Sequence, residues 1–230
     1  MILRLKHIFA NHATRTKNIV SKSNFSVISV KNNIISKGID QKETGMPWKA
    51  TYPLFWVDVE TTGLDLESNI LEVSLVVTDN NLEIIDEGVD LVFSYPDTVL
   101  ENMNSWCKKT HSESGLIDLV KKSTLRIDEG EKVLLEVIKK HCPVPKRAIM
   151  AGNSVHFDQM FLFKYMPALQ QHMHFRIIDV STINELGKRW APETTKYFGK
   201  KMGNHRSRSD IMESISELRY YKKTLFSQKP

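Results

Sequence analysis

Cysteine is scarce in this chain of 230 residues, which has only Cys107 and Cys142. Two cysteines are too few for a structural zinc site unless several histidines join them, and we expect both to be reduced thiols. No apolar run approaches the roughly 18 residues of a membrane span, and no hydrophobic segment of a secretory signal is present. A Gly-x-Ser-x-Gly motif is also missing. The sequence therefore favours neither a membrane protein nor a hydrolase with a serine nucleophile.

Acidic residues are missing from the first 39 positions, which hold seven lysines and arginines and several serines. This composition is typical of a mitochondrial transit peptide. The apolar residues between Ile2 and Phe9, with Arg4 and Lys6 among them, favour the short amphipathic helix that such signals form. The alternative is a disordered basic arm that binds RNA or a partner. We expect residues 1–46 to be a transit peptide with a linker, which implies a mitochondrial protein with its sub-compartment left open.

The positive charge of the chain belongs to this arm. The whole chain has 32 basic and 27 acidic residues and a pI near 9.1, but without the first 39 positions it has 25 basic and 27 acidic residues. Proteins that follow long nucleic acids carry a basic groove or stripe. No run of basic residues stands out in the remainder, residues 47–230, which is long enough for one domain. A nucleic-acid substrate would therefore be short or held in a local pocket.

Apolar patterning predicts three consecutive strands, followed by helices that alternate with two further strands. This order predicts an α/β or α+β fold in which helices pack on a mixed sheet. The predicted strands lie within 54–64 and at 70–78, 82–93, 148–151 and 176–179, and the predicted helices are 128–141, one from Ser154 to about Tyr165, 181–190 and 207–225.

Two acids stand in the first apolar strand, at Asp58 and Glu60. Because side chains alternate along a strand, both carboxylates lie on one face. Burial and mutual repulsion make such a pair costly unless a cation compensates the charge, and carboxylates on a rigid strand suit Mg²⁺ or Mn²⁺. Most D-x-E triplets are simply solvated, and we interpret Asp65-Leu66-Glu67, in polar sequence after Gly63, as a surface example.

Further candidates follow later in the chain. Ser154 comes after a short strand, where it can cap a helix or offer its hydroxyl to a phosphate. Asp158 lies one turn into that helix, and His205 precedes Asp210 at the start of the last helix. Taken singly, these residues are typical of solvated helix acids and an exposed loop histidine.

Together, D-x-E, Gly-Asn-Ser-x-x-x-Asp and His-x-x-x-x-Asp in this order form the pattern of the DEDDh 3′-to-5′ exonucleases. The chain resembles the oligoribonuclease family within that group, including its mitochondrial members, from about residue 54 to residue 226. This resemblance implies a ribonuclease-H-like fold, a homodimer and short single-stranded RNA as substrate. The segments that carry it are 56–64, Trp106 with Thr110-His111, 152–154, 161–167, 178–182 and 217–221.

The resemblance also implies roles for the acids. Asp58, Glu60 and Asp210 would hold the metal ion that binds the attacking water. Asp58 would bridge to a second ion that Asp158 supports, so that the cofactors are two divalent ions, Mg²⁺ or Mn²⁺. His205 would take the proton of the water as general base. The product would be a nucleoside 5′-monophosphate released from the 3′ end.

For the substrate, the resemblance places Leu64 and Trp106 against the bases and His111 at the scissile end. Plain core packing is the alternative for Trp106. Three residues match positions that surround the 5′ phosphate of a very short RNA, and Phe175 stands where bacterial relatives have a tyrosine that reaches across the dimer to that phosphate. These three residues are Ser154, Arg176 and Ser181.

Other interpretations stay open. The same fold and chemistry serve DNA exonucleases, and the sequence has no obvious reader of a 2′-hydroxyl. A non-catalytic RNA-binding module is disfavoured because all four acids and His205 are present. As a further hypothesis, Arg206 and Arg208 bring RNA to the site, because this run is more basic than usual. The leading interpretation is a 3′-to-5′ exoribonuclease that finishes oligoribonucleotides, largely dinucleotides.

Overall fold

The structure is a computed structural model that describes residues 53–196 and 206–226. The predicted transit peptide, residues 1–46, and the predicted general base, His205, lie outside the described residues. The described strands are β1 (Leu54–Thr61), β2 (Ile70–Thr78), β3 (Ile84–Val92), β4 (Ala148–Gly152) and β5 (Met173–Asp179). The described helices are α1 (Asp97–Glu101), α2 (Ser105–Glu113), α3 (Leu116–Lys122), α4 (Ile127–His141), α5 (Val155–Tyr165), α6 (Pro167–His172), α7 (Val180–Trp190), α8 (Pro192–Thr195) and α9 (Ser207–Thr224).

The five strands form one mixed sheet in the order β3-β2-β1-β4-β5. Strands β3, β2 and β1 pair antiparallel because a tight turn joins β2 to β3, where the Asp79 carboxylate accepts the backbone N–H groups of Asn81 and Glu83. Strands β1, β4 and β5 pair parallel, which requires the helical crossovers that connect them. The predicted mixed sheet flanked by helices is confirmed.

Strand β1 lies at the centre of the sheet and both of its faces are covered. Phe55 and Val57 face the larger core, to which α4 and α5 contribute. Trp56 faces the other way, packs in one cluster with Ile211 and Ile215 of α9, and donates its indole N–H to the Thr78 hydroxyl at 2.9 Å. Because side chains alternate, the even-numbered residues of β1 all point toward α9.

Strand β4 runs close to β1 at its carboxyl end. A Cβ atom added at Gly152 would lie 2.8 Å from the backbone oxygen of Val57, so only glycine fits there. The chain can then turn directly into α5 beside the end of β1. None of the described helices combines the length and apolarity that crossing a membrane demands.

Candidate active site

Three carboxylates from two elements meet at the centre of the sheet. Asp58 and Glu60 project from β1, and Asp210 lies in the first turn of α9, which packs on that face of the strand. One carboxylate oxygen from each residue lies within 4.8 Å of the others, and all three side chains are half-buried. The structure thus brings together residues 150 positions apart, as the sequence pattern predicted.

The fourth predicted acid lies beneath this group. Asp158, on α5, is 5% exposed, and its Oδ1 accepts the backbone N–H of Val59 at 2.8 Å. This hydrogen bond places Asp158 against β1 between the two acids of the strand. Burial, followed by the charges of Asp179 and Asp210, raises the pKa of Asp158. A cation beside it would favour the ionised form.

The pKa of Glu60 is also strongly raised. Its pKa rises from 4.5 to about 8, chiefly through burial and then through the negative charges of Asp210, Glu72 and Asp158, while Arg206 opposes the shift. A group of carboxylates whose negative charges act on one another fits a divalent cation, and an all-carboxylate donor set suits the hard ions Mg²⁺ and Mn²⁺. The site residues therefore fit a divalent metal.

His111 is buried rather than open to substrate. The residue is 1% exposed, its Nε2 lies 2.9 Å from the Thr61 carbonyl oxygen, and its Nδ1 lies 3.9 Å from Glu60 Oε2. The carbonyl can only accept, so Nε2 carries the proton of this bond. The ring thus lies beside Glu60, and its contact with the scissile end of a substrate stays a prediction.

Two of the side chains predicted to contact bases are apolar and exposed. Leu64 follows β1 and is 56% exposed, and Trp106 on α2 is 48% exposed, which excludes plain core packing for the tryptophan. A cavity of about 350 Å³ lies between the loop after β1 and the turn before α2, with Gly63 and Asn104 in its lining. Apolar surface exposed on both elements is suited to contacts with nucleobases.

Ser154 and Ser181 come together at the carboxyl ends of β4 and β5. Their hydroxyl oxygens are 3.2 Å apart, and the backbone N–H of each donates to Asp179 Oδ1 at 2.9 Å. The Ser154 side chain does not cap α5, and its backbone has a φ of 54°. The structure thus places the hydroxyls of Ser154 and Ser181 side by side, and their contact with a 5′ phosphate stays a prediction. Asp179 orients the backbone of both serines. The only sign of Asp179 in the sequence is an acid at the end of an apolar strand.

Phe175 and Arg176 lie on β5, an edge strand of the sheet. The Phe175 side chain is 74% exposed, and the Arg176 guanidinium lies 5.4 Å from the centre of its ring. Both side chains face outward and remain accessible to a ligand or to a second chain.

A family model described as "Exonuclease" (RNase_T) matches residues 55–218. Mitochondrial oligoribonucleases of Bos taurus and Homo sapiens are each 45% identical over 177 residues, which is 76% of this chain and 74% of theirs. An oligoribonuclease of Chromobacterium violaceum is 46% identical over 75% of this chain and 94% of its own. The chain belongs to the oligoribonuclease family.

Solved structures agree on the fold of this oligoribonuclease. An exonuclease I from Methylocaldum szegediense matches with a TM-score of 0.59 and 18% identity over 76% of this chain, which spans 41% of that protein. The Mg²⁺- and Mn²⁺-bound S. pombe Pop2p matches with a TM-score of 0.59 and 12% identity over 76% of this chain and 84% of its own. The ribonuclease-H-like exonuclease fold is confirmed.

The two arginines at the start of α9 have partners within the oligoribonuclease chain. The Arg206 guanidinium donates to Glu72, and that of Arg208 donates to Asp90 at 2.8 Å and to the backbone oxygen of Glu87 at 2.6 Å. Neighbouring strands thus orient both side chains, and the hypothesis that they bring RNA to the site stays a prediction.

The loop that carries Leu64 is held from outside by the end of α5. The Tyr165 hydroxyl donates to the Ser68 carbonyl at 2.8 Å, and the Lys164 ammonium donates to the Leu66 carbonyl. Inside the loop, Asp65 Oδ1 accepts the N–H of Glu67 at 3.0 Å. Part of the predicted surface triplet thus shapes the rim of the site.

Tyr165→Phe removes the hydroxyl that donates to the Ser68 carbonyl and also interacts with Lys164, and it keeps the aromatic ring. We expect KM for an RNA dinucleotide to rise roughly threefold to tenfold, matching about 1 kcal/mol for one hydrogen bond, while kcat changes less than twofold. Steady-state kinetics on purified protein measure both. Tyr95→Phe, on another half-buried tyrosine of the same core, is the matched control. A fall in kcat with unchanged KM in Tyr165→Phe would contradict this role.

Proposed function

We propose that this protein is a metal-dependent 3′-to-5′ exoribonuclease that hydrolyses short oligoribonucleotides, down to dinucleotides, to nucleoside 5′-monophosphates. The observation that carries the proposal is the convergence of Asp58, Glu60 and Asp210, with Asp158 behind them, in a chain of the oligoribonuclease family. A phosphodiester needs a nucleophilic water and charge relief at the leaving oxygen, and this cluster is arranged to organise both.

Asp58, Glu60 and Asp210 would hold the divalent metal, and Asp158 would support it from below. Two ions, Mg²⁺ or Mn²⁺, supply activation of water and charge relief at the 3′-oxygen when bound. His111 holds Glu60 in place from the protein side. His205, adjacent in sequence to Arg206, takes the proton of the attacking water, since histidine normally titrates near neutrality.

The substrate would be gripped at its bases and its 5′ end. Leu64 and Trp106 are exposed on two sides of the site and would contact the bases, where stacking contributes about 1–3 kcal/mol per base without regard to sequence. The hydroxyls of Ser154 and Ser181, with Arg176, would bind the 5′ phosphate. Such a site would favour very short RNAs, because only in these does the 5′ phosphate lie close enough to the scissile bond for both to bind at once.

The protein would form a homodimer. Among the described strands, β5 has no neighbour on its outer side, and Phe175 and Trp190 expose 74% and 77% of their surfaces. An open strand edge that carries Phe175, together with the exposed Trp190 at the end of α7, supports an interface with a second copy. Because Phe175 lacks a hydroxyl, it would contribute apolar contact rather than a hydrogen bond to a phosphate.

The cellular location is proposed from the first part of the chain and from relatives. Residues 1–46 are rich in lysine, arginine and serine and would act as a mitochondrial transit peptide with a linker, leaving residues 47–230 as the exonuclease domain. Relatives at 45% identity are named as mitochondrial oligoribonucleases. Import of the full chain into isolated mitochondria, compared with a chain that lacks residues 1–46, tests this assignment.

Length and sugar preference test the proposed substrate. Purified protein is incubated with Mg²⁺ and 5′-phosphorylated RNAs of two, five and twenty nucleotides, and with the matched DNA dimer. We expect mononucleotides to appear fastest from the RNA dimer. Equal rates for the dimer and the 20-mer would contradict the 5′-phosphate site and leave the catalytic assignment intact. Faster cleavage of the DNA dimer would favour the DNA exonuclease alternative.

A further inference from the structure

Glu72 is a buried charge that the proposed chemistry does not use. It lies on β2 and is 1% exposed. Its Oε1 accepts from Arg206 Nη2 at 2.6 Å and Nε at 3.1 Å, and its Oε2 accepts the backbone N–H of Ser207 at 3.0 Å. A buried carboxylate with this full set of donors is held in one orientation.

The bonds of Glu72 join the sheet to the first residue of α9. Ser207 begins that helix, whose first N–H groups have no acceptor within the helix, and the side chain before it supplies none. Glu72 provides that acceptor from a neighbouring strand. Asp210 follows within the same turn, so the position at which α9 begins also sets the position of its carboxylate.

Glu72 stands directly beside the acid cluster. In the antiparallel register of β1 and β2, Glu72 opposes Glu60 and Ser74 opposes Asp58. The Ser74 hydroxyl lies 2.6 Å from the Ser207 hydroxyl and donates to Asp90 at 2.6 Å. Glu72 and Ser74, on one face of β2, thus both contact Ser207 at the start of α9. They do so beside Glu60 and Asp58 of β1.

Packing alone already attaches the body of α9 to the sheet. Ile211, Ile215 and Tyr221 are buried in one cluster with Trp56. A buried ion pair is a weak source of stability compared with apolar contacts of this kind, because desolvation of both charges offsets their attraction. The Glu72–Arg206 pair therefore adds directional restraint, rather than adhesion, at the end of the helix nearest the acids.

We propose that Glu72 and Arg206 are positioning residues for the catalytic cluster. Their ion pair fixes the point at which α9 begins, and it thereby sets the position of Asp210 against Asp58 and Glu60. The chemical role of that cluster rests on the proposed function, but the positioning itself is a property of the fold.

Two neutral variants separate geometry from charge. Glu72→Gln and Arg206→Gln each break the ion pair that restrains the start of α9, although only Glu72→Gln also alters the acceptor of the Ser207 N–H. Their electrostatic effects on a cation bound at Glu60 are opposite, because one removes a negative and the other a positive charge. We expect both to lower kcat on an RNA dinucleotide roughly 10- to 100-fold, with KM changed less than twofold. Changes of kcat in opposite directions would overturn the proposal.

Two controls complete the design. Glu83 also pairs with an arginine of α9, Arg219 at 3.5 Å, but at the far end and on the surface, so Glu83→Gln should leave kcat unchanged. Arg206→Lys keeps the charge and loses the planar two-pronged contact, so it should behave like Arg206→Gln. Full activity in Arg206→Lys would mean that charge, not geometry, is what the site needs.

Binding and exchange measurements remain informative even if no RNA is cleaved. In Glu72→Gln and Arg206→Gln alike, calorimetric titration with Mn²⁺ should show weaker binding, and metal-free amide exchange in residues 207–212 should be faster. Unchanged Mn²⁺ affinity and exchange in both would overturn the positioning role, whereas an inactive wild-type protein with these effects would overturn only the proposed function. If a single variant folds poorly, the same measurements are made on the double variant Glu72→Gln, Arg206→Gln, in which neither charge of the pair is left without its partner.

Discussion

Asp58→Asn is expected to lower kcat for the RNA dinucleotide by roughly 10³-fold or more, equivalent to about 4 kcal/mol of transition-state stabilisation. Asp58 is the acid of β1 whose oxygen lies within 4.8 Å of those of Glu60 and Asp210, so its removal takes away a ligand and a charge. The same change relieves repulsion in metal-free protein. The melting temperature in EDTA should therefore stay the same or rise while activity is lost, which separates a catalytic effect from unfolding.

Glu67→Gln is the matched control for that variant. Glu67 is the acid of the second D-x-E triplet, and its carboxylate is 92% exposed with a single ion pair to Lys164 at 3.4 Å. Loss of one exposed charge should leave kcat within about twofold. Comparable losses in Asp58→Asn and Glu67→Gln, or retention of activity in Asp58→Asn, would mean that the cluster is not the reaction centre.

The affinity for metal should increase steeply with pH. Burial and neighbouring acids raise the pKa of Glu60 to about 8, so in metal-free protein this carboxyl is largely protonated at neutral pH and must lose its proton to bind a cation. Release of this proton, with any from Asp158, predicts that the half-saturating Mn²⁺ concentration falls about tenfold or more per pH unit between roughly pH 5.5 and 7.5, and levels off above 8. Isothermal titration in buffers of different ionisation enthalpy measures both affinity and proton release.

The stability of metal-free protein should follow the opposite trend. Because the folded pKa of Glu60 lies above its ordinary value of 4.5, this residue favours the folded state most below that value, and the contribution is lost as pH rises through about 8. The melting temperature in EDTA should thus fall across this window, and Mn²⁺ should restore it. Glu60→Gln should flatten both trends. If wild type and Glu60→Gln showed the same pH slopes, the perturbed carboxyl would have to be a different one.

The two acids of β1 were predictable because they depend on a short-range pattern. Alternation along one strand placed Asp58 and Glu60 on the same face. Asp158 and Asp210 joined them only through the resemblance to the DEDDh exonucleases, because a single acid in the first turn of a helix is usually solvated. The mixed sheet followed likewise from three consecutive strands and two that needed helical crossovers.

Other features of the structure depend on partners far apart in sequence, which no local pattern reveals. Arg206 was interpreted as a group for RNA because its acceptor, Glu72, lies 134 residues earlier in the second strand. The burial of His111 likewise depends on how α2 packs behind β1, and no periodicity in nine residues of mixed polarity reveals that. Helices α1, α2 and α3 were missed for the same reason, since they are short and depend on a separate small core for stability.

The most direct test of the account follows one oxygen atom. The protein is incubated with Mg²⁺ and the dinucleotide pApG in ¹⁸O-labelled water, and the products are identified by mass spectrometry. Metal-assisted attack of water at the phosphorus, with departure of the 3′-oxygen, predicts unlabelled pA and a guanosine 5′-monophosphate that carries one ¹⁸O, with neither product formed in EDTA. A 3′-phosphate or cyclic phosphate on the adenosine, or cleavage that continues in EDTA, would contradict the assignment of Asp58, Glu60 and Asp210 as a metal-binding hydrolytic centre.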